Sequence, residues 1–434
     1  MPAGPDKLTS RNPVSRRQKL GSCYRTLAII FLNLVLIFFG LNLACALYFE
    51  IEASYGRRAP LNPVAEKYGI SVAPVYPEMN EAEVIALMNE CWPAYQEFEP
   101  FMQIKEEART GRYVNVDPRG FRITRNQGPW PPAADKINVF LLGGSTTFGR
   151  GVADHQTIAS YLQEILNRRD PGKEYKVYNF GRGSYYSTPE RLLLQHLLIT
   201  GFIPDLAIFI DGYNDFYHAE EEPYYVKQLS ALMENANEDS KREMILEKQG
   251  GNLLKWGRLR IFLESLPLAR AAVRLQNRLM PSGPDSEAGQ ILQNAGQANY
   301  RDEAIISRVI DRYLQNKKMI EAVCALYDVT PIFVWQPVPN YKYDLKYHVF
   351  AHSKSRFNFE HYDRYGYPAM ARLAEDGGLG RNFLWCADIQ EGETAGLYVD
   401  RCHYTAGMSE KLAGAIYQML SARGFLTIRN NRKK

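Results

Sequence analysis

From Lys136 onward the chain repeats one pattern, an apolar run followed by a loop and a segment of helical period. The apolar runs fall at 137–142, 175–180, 206–210, 332–335 and 383–387. Between and after them lie "TIASYLQEILNRR", "TPERLLLQHLLIT", "DEAIISRVIDRYLQNKKMIEAVCALY" and "TAGMSEKLAGAIYQMLSAR", whose apolar residues recur at three- and four-residue intervals. A strand that is apolar throughout needs cover on both faces, and amphipathic helices supply it. The pattern therefore predicts an α/β fold, a parallel sheet between two helix layers.

Upstream the chain is organised differently. Residues 27–49, "LAIIFLNLVLIFFGLNLACALYF", carry no charge, and at about 1.5 Å per residue they are long enough to cross a bilayer core of roughly 30 Å. Six basic residues (Lys7, Arg11, Arg16, Arg17, Lys19, Arg25) against Asp6 put a net +5 into residues 1–26, so the other 408 residues sum to −1 of the formal +4. Positive charge before the span predicts a cytoplasmic N-terminus and an extracytoplasmic body, periplasmic in a Gram-negative cell. Cleavage at "ACA", 44–46, is the alternative, and both readings export the body. A body with no positive excess excludes a basic nucleic-acid face.

The expected organisation is a basic tail (1–26), a transmembrane anchor (27–49), a stalk and accessory segment (50–134) and an α/β domain (135–428). The last carries a lid-like insertion at about 217–300. In the accessory segment "EAEVIALMNECWPAYQEF" has helical spacing at Val84, Leu87, Met88 and Cys91 and is broken or kinked near Pro93, and "YVNVDPRGFRIT" reads as strand, turn, strand. In an oxidising compartment Cys386 and Cys402 are either bridged or buried thiols. With no CxxC pair, no metal site is suggested.

Ligands of open α/β sheets bind beyond the carboxyl ends of the strands, and four blocks fall there: "GGSTT" (143–147), "NFGRGSYYS" (179–187), "DGYND" (211–215) and "VDRCHYT" (399–405). Singly, each has a plain reading: Ser145 as a helix N-cap, the second block as a Gly-rich turn, Asn214-Asp215 as a cap pair, His403 as a surface histidine and Asp400 as an Asx-turn residue. Together they hold every part that acyl transfer needs: a serine hydroxyl (Ser145), a base (His403), a carboxylate to orient the base (Asp400), and oxyanion donors from the Ser145 N–H, a backbone N–H at Gly183 or Ser184, and the Asn214 amide. Gln336, Arg182, Tyr185 and Tyr186 are expected along the substrate cleft, Arg182 against an anionic group, and "EEPYYVKQ" and "NYKYDLKYHVF" as stacking faces for sugar rings.

The order of these blocks, "GGSTTFG", "NFGRGS", "GYND" and "DRCH", resembles the SGNH (GDSL-type) hydrolase superfamily over roughly residues 136–425. The resemblance implies a three-layer α/β/α, flavodoxin-like sandwich, with Ser145 as nucleophile, His403 as base, Asp400 as its orienter and Asn214 as oxyanion donor. The chain departs from the pattern in carrying Gly144 where many members carry Asp, and in placing Ser184 where the second block's oxyanion glycine falls. The expected function is an exported, membrane-tethered serine esterase acting on acyl esters, O-acetyl groups of an envelope or exported polysaccharide among them, without metal or organic cofactor. An O-acyltransferase with the same triad, and a catalytically silent envelope scaffold, are the alternatives.

Overall fold

The computed structural model describes residues 16–55, 72–92, 96–99, 101–219, 266–268, 299–351 and 360–427. Of the expected stalk, residues 56–71 lie outside them, as do most of the 217–300 insertion with "EEPYYVKQ" and the basic C-terminal tail. The chain divides into two units, Met1–Arg58 with Asp239–Gln297, and Ala59–Glu238 with Ala298–Lys434.

The first unit contains a 40-residue helix, Arg16–Tyr55. Within it Tyr24–Tyr48 has a mean hydropathy of 2.5 and is almost entirely unburied, with Leu27, Ile29, Phe31, Leu34 and Phe39 exposed. Length and composition suit a membrane anchor or a signal sequence. One polar interruption, Asn42, returns its amide to the Phe38 carbonyl one turn back, 2.9 Å.

The second unit contains a helix, Glu81–Cys91, closed at its start by a capping box: Asn80 accepts from the Glu83 N–H, and Glu83 accepts from the Asn80 N–H. Val84, Leu87, Met88 and Cys91 are buried, as their spacing predicts. The helix ends before Pro93 and the chain becomes a strand, β1 (Gln96–Glu99), paired antiparallel with β2 (Gln103–Glu106). The sequence pattern gives no sign of that hairpin. β3 (Arg109–Thr110) and β4 (Asn115–Val116) form a second small ladder.

The main sheet comprises β5 (Ile137–Gly143), β6 (Tyr175–Gly181), β7 (Leu206–Asp211), β8 (Thr330–Trp335) and β9 (Phe383–Trp385), all parallel, in the order β6-β5-β7-β8-β9. The register aligns the carboxyl ends, pairing Gly143 with Gly181 and Ile210, and Asp211 with Trp335. Side chains alternate between two cores. Val139 and Leu141 pack with Ile158, Leu162, Met408 and Leu412 on one face, and Phe140 and Leu142 with Leu193, Ile310, Tyr313 and Met370 on the other. This α/β/α arrangement is the architecture the resemblance implies. The helix Tyr362–Glu375 escapes the sequence pattern because Gly366 and Pro368 lie inside it. Gly366 is there for packing: a Cβ would meet the Phe216 ring at 2.2 Å.

Behind the end of β7, Glu190, Asp211 and Asp215 are buried together. Burial, then the Asp211 and Asp215 charges, push Glu190 well above the ordinary range; burial, then Asp215, do the same to Asp211. Acids whose folded pKa is raised stabilise the fold while protonated, and that stability is lost as pH rises from about 4.5 through the folded values. Glu190→Gln is therefore expected to stabilise the protein increasingly with pH, read as a mutant-minus-wild-type Tm difference that grows between pH 5 and 8.

Candidate active site

β5 stops at Gly143 because a side chain there has no room: a Cβ would lie 2.0 Å from Thr147 Oγ1. At Gly144 it would lie 2.3 Å from Asn214 Nδ2. The paired glycines let the chain turn into the short helix Ser145–Phe148 while the Asn214 amide closes against the turn. Arg122, fully buried, holds the loop after that helix: its guanidinium pairs with Asp154 at 2.8 Å and donates to the carbonyls of Phe148, Gly149 and Val152.

Ser145 meets the last block at the sheet edge. His403 Nε2 lies 2.7 Å from Ser145 Oγ, and His403 Nδ1 lies 2.9 and 2.8 Å from the two Asp400 oxygens. Asp400 Oδ1 also accepts from the backbone N–H groups of Cys402 and His403, at 3.0 and 2.7 Å. Burial pushes the Asp400 carboxyl up, but the His403 charge and these hydrogen bonds outweigh it and hold the group at about 2. Burial opposes charge on His403, yet the facing Asp400 raises it above the ordinary 6.5. The Trp92 ring packs edge-on against the imidazole, centroids 5.8 Å apart. Serine, imidazole and carboxylate thus form one hydrogen-bonded chain, the arrangement that activates a hydroxyl for attack on a carbonyl.

Asn214 Nδ2 donates to the Tyr185 carbonyl at 2.7 Å, which leaves its second N–H for another acceptor. The two backbone candidates separate. The Gly183 N–H donates to Glu106 Oε1 at 2.9 Å, so it is committed to the β1–β2 hairpin and is withdrawn as an oxyanion donor. The Ser184 N–H has no acceptor among the described residues, and Ser184 sits at φ +62°.

The expected cleft residues require correction. Arg182 points into the core, ion-paired with Glu99 and donating to the Ile104 carbonyl and the Tyr185 hydroxyl. Gln336 is buried, and its Oε1 accepts from Thr146 Oγ1 at 2.7 Å and Tyr404 OH at 3.2 Å. It ties the Ser145 turn to the residue after His403. Tyr185 and Tyr186 are core residues. Tyr343 and His348 of "NYKYDLKYHVF" pack against Tyr398 rather than presenting free faces. Cys386 and Cys402 are separate buried thiols, Cys402 Sγ lying 3.8 Å from His403 Nδ1. Among the described residues only Asp400, Cys402 and His403 cluster closely enough to share a metal ion, and the Asp400–His403 bonds already use the carboxylate oxygens and Nδ1.

Sequence reasoning does not single out Trp92, Arg122 or Glu106. For Arg122 a signal exists, a charge between the apolar Phe121 and Ile123 of the expected strand.

No family model and no curated protein matches the chain. Solved structures similar to it include a putative lipolytic protein of the G-D-S-L family from Desulfitobacterium hafniense (12% identity, TM-score 0.32, covering 66% of this chain and 100% of that one). An acetyl xylan esterase, AlAXEase, is similar at 13% identity and TM-score 0.33, covering 65% and 98%. Another acetyl xylan esterase, from Geobacillus stearothermophilus, is similar at 11% identity and TM-score 0.31, covering 68% and 97%. Likenesses at these TM-scores decide nothing about chemistry.

Proposed function

We propose that the body is a serine esterase of the SGNH type, exported and held to the membrane by the helix Arg16–Tyr55, and that it removes acyl groups, O-acetyl groups of an envelope or exported polysaccharide among them. The observation supporting the chemistry is the continuous chain Ser145 Oγ, His403 Nε2, His403 Nδ1, Asp400. His403 takes the Ser145 proton as Oγ attacks the ester carbonyl, and Asp400 stabilises the imidazolium. The tetrahedral oxyanion is met by the N–H groups of Ser145 and Ser184 and by the second N–H of Asn214. His403 then returns its proton to the departing alcohol, and water reverses the sequence to release the acid. The +5 charge before the span supports a cytoplasmic N-terminus, with the body on the far side of the membrane.

A fluorophosphonate tests the nucleophile directly. Mass spectrometry of the labelled full-length protein is expected to find the adduct on Ser145, and labelling elsewhere or none at all would sink the reading. Asn214→Ala is expected to lower kcat on an acetate ester by about 10²- to 10³-fold with KM little changed, measured by steady-state kinetics.

A further inference from the structure

We propose that Arg401, with the exposed Tyr217 ring, forms a subsite beside Ser145 and His403 for an anionic group on the ester substrate, a sugar carboxylate being the chemistry that fits. The inference deepens the esterase reading and rests on it.

Arg401 lies between Asp400 and His403, so its backbone is fixed by the same Asp400 Oδ1 that accepts from Cys402 and His403. Its guanidinium stands over the Tyr217 ring, 5.7 Å from the centroid. Tyr217 belongs to the short helix Tyr213–Tyr217 that carries Asn214 three residues earlier, a spacing that puts two side chains on neighbouring positions of one face. The cation is thus attached to both elements that build the reaction centre.

Among the described residues the guanidinium has no acceptor. It presents five N–H donors, and among the described residues none is hydrogen-bonded and none is ion-paired with a carboxylate. Asp363 attracts it from a distance, but that carboxylate accepts from Asn340 Nδ2 at 2.8 Å and lies 3.6 Å from His361 Nδ1. Arg182 and Arg122, by contrast, are engaged by carboxylates and carbonyls. A half-buried guanidinium on an aromatic face, with its donor edges unused, is complementary to a planar carboxylate, which it can bind bidentately. Behind Tyr217 the rings are packed on one another, His361 stacking on Tyr217 at 5.1 Å and 20° and Tyr300 lying 5.2 Å from His361, while Tyr217 itself is 42% exposed. The exposed part of the Tyr217 ring suits the apolar side of a sugar ring, and a neutral ester would leave the guanidinium unpaired.

The test compares acetate release from an O-acetylated methyl glucuronoside and the matching O-acetylated methyl glucoside, using the full-length protein in detergent. The wild type is expected to prefer the acid, in kcat/KM, by about tenfold or more. Arg401→Gln is expected to bring that ratio close to one, with Arg401→Lys retaining part of it. A wild type without the preference, or an Arg401→Gln variant with wild-type far-ultraviolet circular dichroism that keeps it, overturns the subsite; should Arg401→Gln fail to fold, the ratio for Arg401→Lys decides in the same way. Should the wild type release acetate from neither substrate in a Ser145-dependent way, the esterase reading fails while the subsite stays testable by calorimetry with the unacetylated glucuronoside. About tenfold weaker binding to Arg401→Gln then supports the subsite, and equal binding of acid and neutral glycoside overturns it.

Discussion

Ser145→Ala is expected to lower kcat/KM for 4-nitrophenyl acetate by about 10⁴-fold or more while leaving the fold intact. Two features make the effect large. The hydroxyl is the group in contact with His403 Nε2 at 2.7 Å, so its loss removes the covalent route and leaves only the oxyanion donors and general binding. The change is also structurally mild: the glycines before Ser145 set the turn, and the side chain makes no described hydrogen bond other than to His403. Far-ultraviolet circular dichroism and Tm are therefore expected to match the wild type, and the rate alone to collapse. A variant that retains more than about a tenth of the activity would move the nucleophile elsewhere and remove the basis of the mechanism.

The parts of this site differ in how far a sequence exposes them. The sheet is legible because each strand is apolar on both faces and the covering helices other than Tyr362–Glu375 show their period, so the five apolar runs fall within a residue or two of the strand ends. The four blocks are legible for a local reason, since each lies beside a strand end or the last helix, and parallel register carries the strand ends to one edge. Gly183 and Ser184 cannot be told apart in the sequence, because the choice depends on Glu106, 77 residues away and on a hairpin with no clear strand pattern. Arg182 is misread for the same cause: its partners Glu99 and Ile104 come from that hairpin. Gln336 is located at the right strand end, but its direction is set by Thr146 and Tyr404, which meet it only once the sheet is assembled. Local pattern reports which residues reach the sheet edge; long-range hydrogen bonds decide which of them face a substrate.

Asp400→Asn carries the second large effect, and it separates two roles in one experiment. In the wild type the buried Asp400 carboxylate favours the protonated imidazole, raising His403 above its ordinary 6.5. A base must be neutral to accept the Ser145 proton, so activity is present above the folded His403 pKa and lost below it. The rising limb of kcat/KM against pH is therefore expected above 6.5. In Asp400→Asn the charge holding that proton is gone, and the limb is expected to move to lower pH. The rate is expected to fall by about 10⁴-fold because the imidazole loses its tautomer control and the imidazolium its counter-charge. The two readouts go in opposite senses, the imidazole giving up its proton more readily while the reaction becomes slower. The substitution itself is mild on the loop, since the amide oxygen it introduces can still accept from the Cys402 and His403 N–H groups that Asp400 Oδ1 now holds. A limb that stays above 6.5 after the substitution would show that another group sets the His403 proton affinity, and would separate Asp400 from the base it touches.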